Sequence, residues 1–469
     1  MADQAELPAC PRCRELEREV ASLKERFADI EAKLAAATKN SANSSKPPSS
    51  DIVKPPAPPR KPHKKRKRGA QPGHKRHERK PFELGEIDVV KDHCLEHCPD
   101  CGGPLEMHGE PTAVLQQVEL VAKPITITEH RSRVCRCGEC QKEFIAPIPR
   151  EVQKAGLVGP QLTALVGYLK GVCHCSFSTI RTFLADVCGV SISRGQLRKL
   201  CGKVADSLDV SYQELLAALP AQDSLNVDET GHKENGDRMW TWCFRAPLFT
   251  LFKIDPSRGS EVLVDALGLE FDGVLGCDYF SAYHKYMRLN EHVLVQFCLA
   301  HLIRDVRFLV EHPHTRNQAY GKRVLAELRE LFAIIHRRDT YKTEQAFRGA
   351  LEDQGYHVWT QATYRVPPNK EAQNLANRFR EHGHDYLRFV TTPGVEPTNN
   401  LAEQAIRFVV LDRRVTQGTR SAAGRKWCER IWTTIATCSQ HGRSVLDFLF
   451  RSVVAYFGDT PPPTLLPAT

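Results

Sequence analysis

Apolar residues near the start of the chain recur at alternating steps of four and three. The series runs through Leu16, Val20, Leu23, Phe27, Ile30 and Leu34, with Glu, Lys and Arg between its members. This spacing is that of the a/d seam of a coiled coil, although three heptads also fit one amphipathic helix packed on another domain. We predict a coiled coil over residues 1–38 that joins copies of the chain into a homo-oligomer.

Apolar residues take helical spacing again between residues 151 and 220. Leu162, Val166 and Leu169 share one face, and Ser178–Val187, a break at Gly189 and Ser193–Leu200 resemble a helix-turn-helix. Two interpretations fit this region, a DNA-reading helix-turn-helix and a plain helical packing unit.

Strand-like patterns begin at residue 224, and two of the strands run into acidic residues. The segments in chain order are the strand Ser224–Thr230 with Asp228, a hairpin of Met239–Ala246 and Leu248–Ile254 with Pro247 at the bend, the helix Glu261–Leu267, the strand Gly273–Asp278, and the strand Val293–Cys298. Three strands, a helix and a fourth strand follow the order of a ribonuclease-H-like sheet. In that sheet the first and fourth strands are neighbours, so Asp228 and Asp278 are expected to approach each other.

A third carboxylate is expected from a later helix. Breakers precede Thr398 and Asn399, either of which is a candidate N-cap, and the helix that follows contains Glu403. Steps of three and four place Asn399, Asn400, Glu403 and Arg407 on one face. Leu401, Ala405 and Phe408 are expected to face inward.

Three carboxylates at one place suit the cleavage of phosphodiesters. Two Mg²⁺ ions roughly 3.5–4 Å apart activate the attacking oxygen and stabilise the leaving oxygen. Mg²⁺ prefers hard oxygen ligands, and Mn²⁺ accepts the same ones. We therefore predict that Asp228, Asp278 and Glu403 are catalytic and bind two Mg²⁺ ions, with Mn²⁺ as a substitute.

The positive charge of the chain is concentrated in one segment. Residues 54–80 hold twelve Lys and Arg against one acidic residue, whereas the whole chain has a net charge of +9. They lie in a linker rich in Pro, Ser and Lys, residues 39–92, whose composition predicts disorder. The run Lys64, Lys65, Arg66, Lys67 and Arg68 is expected to contact DNA phosphates, and its alternative interpretation is a solvated tail.

The cysteines indicate zinc rather than disulfides. No export signal precedes the 17 cysteines, and no stretch is long and apolar enough for a membrane span, so we expect a cytoplasmic protein. Cys98 and Cys101 form one Cys-x-x-Cys knuckle, and Cys137 and Cys140 form another. This pattern predicts a four-thiolate structural Zn²⁺ site in residues 93–150, with Thr112–Thr128 supplying its strands. Cys94, His97 and Cys135 are close enough in sequence to replace one of the four ligands.

Seven motifs in order resemble the insertion-sequence 66 family of DDE transposases. They are Asn43–Asp51, Gln71-Pro72-Gly73-His74, Cys98-Pro99-Asp100-Cys101-Gly102, Val227-Asp228-Glu229-Thr230, Asp278–Tyr283, Cys298–Arg304 and Asn399–Glu403. Two positions depart from the family pattern. Tyr279 follows the second Asp where Gly is more usual, and Gln404 follows the Glu where Arg is more usual.

The resemblance implies a transposase of a bacterial insertion sequence that binds element ends, cleaves DNA strands and joins them to a target. The implied architecture is multidomain α+β, with an N-terminal coiled coil, a zinc ribbon, a helical domain, a ribonuclease-H-like α/β catalytic domain (221–410) with a helical insertion (about 305–395), and a C-terminal helical segment (411–469). Its implied partners are DNA and small accessory transposition proteins, and its implied location is the bacterial nucleoid.

Residues near the acids have two interpretations. His301 and Arg304 lie one helical turn apart, which suits either packing or contact with the scissile phosphate, for which the Arg fork is well shaped. Two other functions fit the sequence as a whole. One is a non-catalytic zinc-containing DNA-binding regulator, and the other is a nuclease of the same fold that cuts without joining.

Overall fold

The structure is a computed structural model that describes residues 11–37, 39, 80–93, 95, 97–104, 114–121, 124–137 and 139–466. The described residues fall into two compact units. The large unit lies within Met1–Pro55, His130–Ala185 and Val190–Thr469, and the small unit lies within Pro56–Glu129 and Asp186–Gly189.

Helices and strands alternate in the middle of the chain, and helices dominate on either side. The helices are α1 (Pro11–Ala37), α2 (Arg150–Ala155), α3 (Pro160–Gly171), α4 (Phe177–Cys188), α5 (Arg194–Ser207), α6 (Asp209–Ala218), α7 (Glu261–Leu267), α8 (Ser281–Leu289), α9 (Leu299–Val310), α10 (Thr315–His336), α11 (Glu344–Thr363), α12 (Lys370–Tyr386), α13 (Arg388–Thr391), α14 (Asn400–Thr416), α15 (Ala422–Gln440) and α16 (Val445–Gly458). The strands are β1 (Val134–Arg136), β2 (Glu143–Ile145), β3 (Ser224–Glu234), β4 (Asp237–Arg245), β5 (Thr250–Asp255), β6 (Val274–Cys277) and β7 (Leu294–Phe297).

The central feature of the large unit is a five-stranded mixed sheet in the order β5-β4-β3-β6-β7. The strands β3, β4 and β5 are antiparallel neighbours, and β6 and β7 run parallel to β3. The first and fourth strands of the sheet, β3 and β6, are therefore paired, as the sequence order predicts.

The strand β3 is longer than the sequence pattern predicts. It continues to Glu234 and turns into β4 through Asn235 and Gly236, whose φ angles are +53° and +99°. A two-residue turn with positive φ at both positions matches the right-handed twist of a hairpin, and Asn-Gly is the pair best suited to it. This hairpin makes β3 and β4 the longest ladder of the sheet.

Aromatic side chains fill the core between the sheet and the helices. Trp242 and Phe244 on β4 and Phe252 on β5 are buried, and Phe252 meets Trp432 of α15 edge to face at 6.2 Å. Burying each of these rings contributes about 1.5–3 kcal/mol. The helix α15 is thereby fixed along the outer strand β5.

Side chains of α15 satisfy the outer edge of the sheet. The N–H groups of Thr250, Phe252 and Ile254 point away from β4, and each donates to a side chain of α15. Thr250 donates to Thr437 Oγ1 (3.2 Å), Phe252 to Thr433 Oγ1 (3.0 Å) and Ile254 to Glu429 Oε1 (2.8 Å). Acceptors four residues apart on a helix match N–H groups two residues apart on a strand, because both steps span about 6–7 Å.

Helices occupy the two segments that the sequence assigns to an insertion and a C-terminal extension. Between β7 and α14 lie α9 to α13, and the chain after α14 forms α15 and α16. In the preceding helical region, α4 ends at Cys188, Gly189 has φ +66°, and Ser193 caps α5 by accepting the N–H of Gln196. The exposed side of α5 bears Arg194, Arg198 and Lys199.

The predicted strands within Thr112–Thr128 are wrong for the part of that segment that the structure describes. Residues 114–121 and 124–128 have no strand assignment, and Val114 and Leu115 are 76% and 87% exposed. A β-branched composition makes a strand only where a partner strand exists. In the large unit, β1 and β2 instead pair with each other, with Val134 opposite Ile145.

The helix α1 carries the predicted seam on its surface. Leu16, Leu23, Phe27 and Ile30 are each more than half exposed. Near the end of α1, Ala35 packs against the core, and Lys39 Nζ lies 3.9 Å from the centre of the Phe308 ring. Among the described helices, none is long and apolar enough to span a bilayer.

The edge contacts of α15 predict a stability difference between two neighbouring threonines. Thr433→Val removes the acceptor of a buried backbone N–H, so we expect the free energy of unfolding to fall by about 1–3 kcal/mol. The matched control is Thr434→Val, because the Thr434 hydroxyl donates only to the Arg430 carbonyl of its own helix (2.9 Å). Urea denaturation followed by circular dichroism measures both, and equal losses would contradict the role of Thr433.

Candidate active site

The pairing of β3 with β6 brings two acidic residues to the same edge of the sheet. Asn226 is paired with Gly276; Asp228 lies two residues further along β3, and Asp278 lies two residues beyond Gly276, just past the end of β6. Gly276 allows this close pairing, since a Cβ there would lie 2.5 Å from Asn226 Nδ2. Asp228 and Asp278 are therefore at equivalent positions on neighbouring strands.

Backbone N–H groups orient both carboxylates. The N–H of Glu229 donates to Asp228 Oδ1 (3.0 Å), and the N–H of Phe280 donates to Asp278 Oδ1 (3.0 Å). Each Asp is half-buried, so one oxygen is held by the backbone while the side chain keeps access to solvent.

Asn399 fixes the start of α14 against the sheet. Its backbone N–H donates to Cys298 Sγ (3.1 Å), its side-chain amide donates to the Val227 carbonyl (2.7 Å), and its Oδ1 accepts from Asn226 Nδ2 (3.1 Å). Asn399 is the N-cap residue and is buried, but its side chain bonds to the strands instead of to its own helix.

The buried face of α14 differs from the predicted one. Ala402, Ile406 and Val409 are buried, whereas Leu401 is 39% exposed. The predicted inward face, Leu401, Ala405 and Phe408, is thus wrong by about one position, although Ala405 and Phe408 pack partly against the core. Asn399 contributes to this rotation, because its side chain bonds to β3.

Glu403 lies on the first turn of α14 and contacts α9. Its Oε1 is 3.3 Å from Arg304 Nη2 and 3.6 Å from His301 Nδ1. Burial lowers the pKa of His301 to about 4, and the charge of Arg304 adds to this effect, so the imidazole is neutral at pH 7. Asn400 and Arg407 are exposed.

Burial and neighbouring acidic residues raise the pKa values of Asp228 and Asp278. Burial raises the pKa of Asp228 well above its usual value, and the charges of Glu229, Asp278 and Glu403 raise it further. Burial and then the charge of Glu229 raise the pKa of Asp278 to about 7, while Arg258 opposes that rise. Such a cluster favours a bound cation or proton.

Glu229 lies on the other face of β3, where it is buried and fully paired. Arg258 Nε and Nη2 approach its Oε1 at 2.9 and 2.7 Å, and the Tyr283 hydroxyl donates to its Oε2 (2.7 Å). The Arg258 guanidinium lies 3.9 Å from the centre of the Phe280 ring and 4.6 Å from that of Trp240. Sequence reasoning missed Arg258, because nothing in its loop marks it as a partner of β3.

Tyr279, which follows Asp278 where Gly is more usual, fits without disturbing the strand. Its ring stacks on Tyr386 at 6.1 Å and meets Phe297 edge to face at 4.9 Å, and the Arg378 guanidinium lies 4.4 Å from its centre. The large side chain therefore packs towards α12, away from the carboxylate.

Each cysteine knuckle forms a tight turn of its own. In the small unit, the N–H of Gly102, which has φ +74°, donates to the Cys98 carbonyl (2.8 Å). In the large unit, the N–H of Gln141 donates to the Cys137 carbonyl (3.0 Å), and that of Cys140 points to Cys137 Sγ (3.5 Å).

Both knuckles also favour thiolates. Hydrogen bonds from Cys101 and Asp100 lower the pKa of Cys98, and those from Cys140 and Glu139 lower that of Cys137. The remaining predicted DNA-binding run, Lys64–Arg68, lies outside the described residues.

Comparisons with known proteins identify related sequences. A family model described as "Transposase IS66 family" matches residues 155–426, and a family of unknown function matches residues 4–80. An uncharacterized protein of Sinorhizobium fredii, y4qI, is 22% identical over 291 residues, covering 56% of this chain. The chain spans about half the length of that curated relative, 53%.

The raised pKa of Asp278 predicts how stability depends on pH without Mg²⁺. The folded state holds a proton up to about pH 7, whereas the unfolded state releases it near the ordinary value of 3.8. Stability from this group is therefore complete below about pH 4 and is lost as the pH rises towards about 7.

Asp278→Asn removes this dependence. Its free energy of unfolding should rise relative to the parent from pH 4 to pH 7, by at most about 1.4 kcal/mol per pH unit. Asp272→Asn, an exposed change at the opposite end of β6, should follow the parent at every pH. Parallel curves for the parent and Asp278→Asn in denaturant titrations would contradict the shift.

Proposed function

The chain belongs to the IS66 family of transposases, and we propose that it is itself a transposase that cleaves DNA at element ends and joins the strands to a target. What supports the proposal is that Asp228 and Asp278 lie on and just after two paired parallel strands, and that the charges of Asp278 and Glu403 raise the pKa of Asp228. The sheet order and the helices between β7 and α14 support a ribonuclease-H-like catalytic domain.

The donor set suits two Mg²⁺ ions. Three carboxylates present hard oxygen ligands, the charges of Asp278 and Glu403 raise the pKa of Asp228, and each Asp keeps one oxygen that is not held by the backbone. When bound, two such ions activate the attacking oxygen and stabilise the leaving oxygen in phosphodiester cleavage. Mn²⁺ is expected to substitute, since it accepts the same ligands.

The surrounding residues position these acids. Asn399 holds α14 so that Glu403 faces the sheet, and Arg304 holds one Glu403 oxygen. Arg304 is also placed to bind a phosphate oxygen of the scissile strand once Glu403 binds metal, because its guanidinium offers further donors. His301 Nδ1 lies 3.6 Å from Glu403 Oε1, and the exposed Asn400 and Arg407 are placed to contact DNA beyond the cleavage point.

Other parts of the chain are proposed to recruit DNA and to join copies. The exposed basic residues of α5 suit phosphates or base edges, as in the second helix of a helix-turn-helix. The exposed seam of α1 suits pairing with the same seam of a second copy, since a/d residues are stable only when covered. The knuckle cysteines suit structural Zn²⁺, because their turns favour thiolates.

Neutralising any one of the three acids should abolish catalysis. Asp228→Asn, Asp278→Asn and Glu403→Gln keep shape but remove a charge that holds the metal ions. We expect each to lower cleavage and joining at least about a thousandfold, with little further loss when two are combined, because members of a unit are not additive. The measurement is strand cleavage and joining on DNA carrying the element ends with Mg²⁺.

Matched controls keep this experiment interpretable. Asp272→Asn and Glu396→Gln are exposed changes of the same type, and their activity should match the parent. DNA binding should persist in all variants. Full activity in Asp228→Asn or Glu403→Gln would refute the site, and cleavage without joined products in the parent would indicate a nuclease.

The basic side of α5 should contribute phosphate contacts. Arg198→Ala with Lys199→Ala is expected to weaken binding to element-end DNA and to lower the slope of log K against log salt by about 1–2. Arg329→Ala with Lys322→Ala, exposed on α10, removes the same charge and is the control. Fluorescence anisotropy at several salt concentrations compares them, and identical slopes would exclude α5 from the contact.

A further inference from the structure

Three residues of different chemistry converge beside the acidic cluster. Cys298 follows β7 and is the N-cap residue of α9, His301 lies on the first turn of α9, and Glu403 lies on the first turn of α14. One ligand atom from each, a sulfur, a ring nitrogen and a carboxylate oxygen, lie within 4.8 Å of one another.

The Mg²⁺ ions do not account for this group, because Mg²⁺ selects oxygen ligands and avoids thiols. His301 Nδ1 is buried and has no hydrogen-bond partner within the described part of the chain. A buried polar atom of this kind costs stability unless something binds it. Cys298 Sγ accepts the Asn399 N–H at 3.1 Å, a contact that also stabilises a metal-bound thiolate.

We propose that Cys298, His301 and Glu403 form a Zn²⁺ site that regulates catalysis. Zn²⁺ accepts sulfur, imidazole nitrogen and carboxylate oxygen, and three protein ligands leave its fourth position open to water. Zinc–ligand bonds of about 2.0–2.3 Å require the three atoms to move closer by a few tenths of an ångström each. The short side-chain movements this needs are available because Glu403 is half-buried.

The site competes with the proposed catalytic one for a single side chain. A Glu403 oxygen bound to Zn²⁺ is withdrawn from the Mg²⁺ pair, so bound zinc holds the enzyme inactive. Arg304 must also leave its 3.3 Å contact with Glu403, and it can turn outward because its side chain is 22% exposed. This consequence rests on the proposed function, whereas the binding itself does not.

Cobalt binding tests the site directly. Co²⁺ occupies zinc sites, and its bond to a thiolate gives a charge-transfer absorption that counts sulfur-bound metal. Full-length protein as purified is titrated with Co²⁺ in three forms: the parent, Cys298→Ser, and the control Cys438→Ser, another buried cysteine on α15. The parent and the control should bind one more thiolate-bound equivalent than Cys298→Ser.

Equal counts in all three forms overturn the proposal. If circular dichroism shows that Cys298→Ser is unfolded, His301→Gln is titrated in its place. The affinity of His301→Gln for the thiolate-bound Co²⁺ equivalent should be at least tenfold lower than that of the parent, and an affinity equal to that of the parent overturns the site. In a separate assay of cleavage with Mg²⁺, one added equivalent of Zn²⁺ should slow the parent, and the ratio of rates with and without Zn²⁺ should be near one for Cys298→Ser. An unaffected parent refutes the regulatory role, and a parent inactive even without Zn²⁺ refutes the proposed function while leaving the cobalt count as the test of the site.

Discussion

The acidic cluster depends on one buried amide. Asn399 bonds through its side chain to Asn226 and Val227 within β3 and, through its backbone, to Cys298, which follows β7. Glu403 is more than a hundred residues from Asp278 along the chain, so its position near Asp278 depends on long-range contacts such as these. They help to fix the rotation of α14 and the direction of Glu403.

The same cluster carries an electrostatic cost that stability alone would not select. Burial raises the pKa values of Asp228 and Asp278, and the charge of Glu229 on the opposite face of β3 raises both further. The charge of Glu229 is offset by its pairing with Arg258 and Tyr283. The carboxylates of Asp228 and Asp278 lie on the other face, which cations and DNA would approach.

Much of the candidate site could be predicted from the sequence, because strand patterns that end in Asp and a capped helix with Glu are local signals. The helix Glu261–Leu267 and the adjacency of β3 and β6 follow from such patterns. The rotation of α14 could not be predicted, since it depends on a long-range bond of Asn399. The strands predicted within Thr112–Thr128 failed for a related reason. A strand needs a partner strand, and the residue composition of the segment does not show whether one exists. Nothing in the sequence pattern predicts the ion pair between Arg258 and Glu229.

The contacts between α15 and β5 also bear on what a shortened copy of this chain would do. A chain that ended before residue 422 would keep all three acids and α14, yet it would lose the acceptors for three outward N–H groups of an edge strand. An uncovered edge of this kind pairs readily with other chains. Truncated copies would therefore aggregate even though they keep the three acidic residues. The C-terminal helices would then be needed to cover the sheet edge rather than for any reaction.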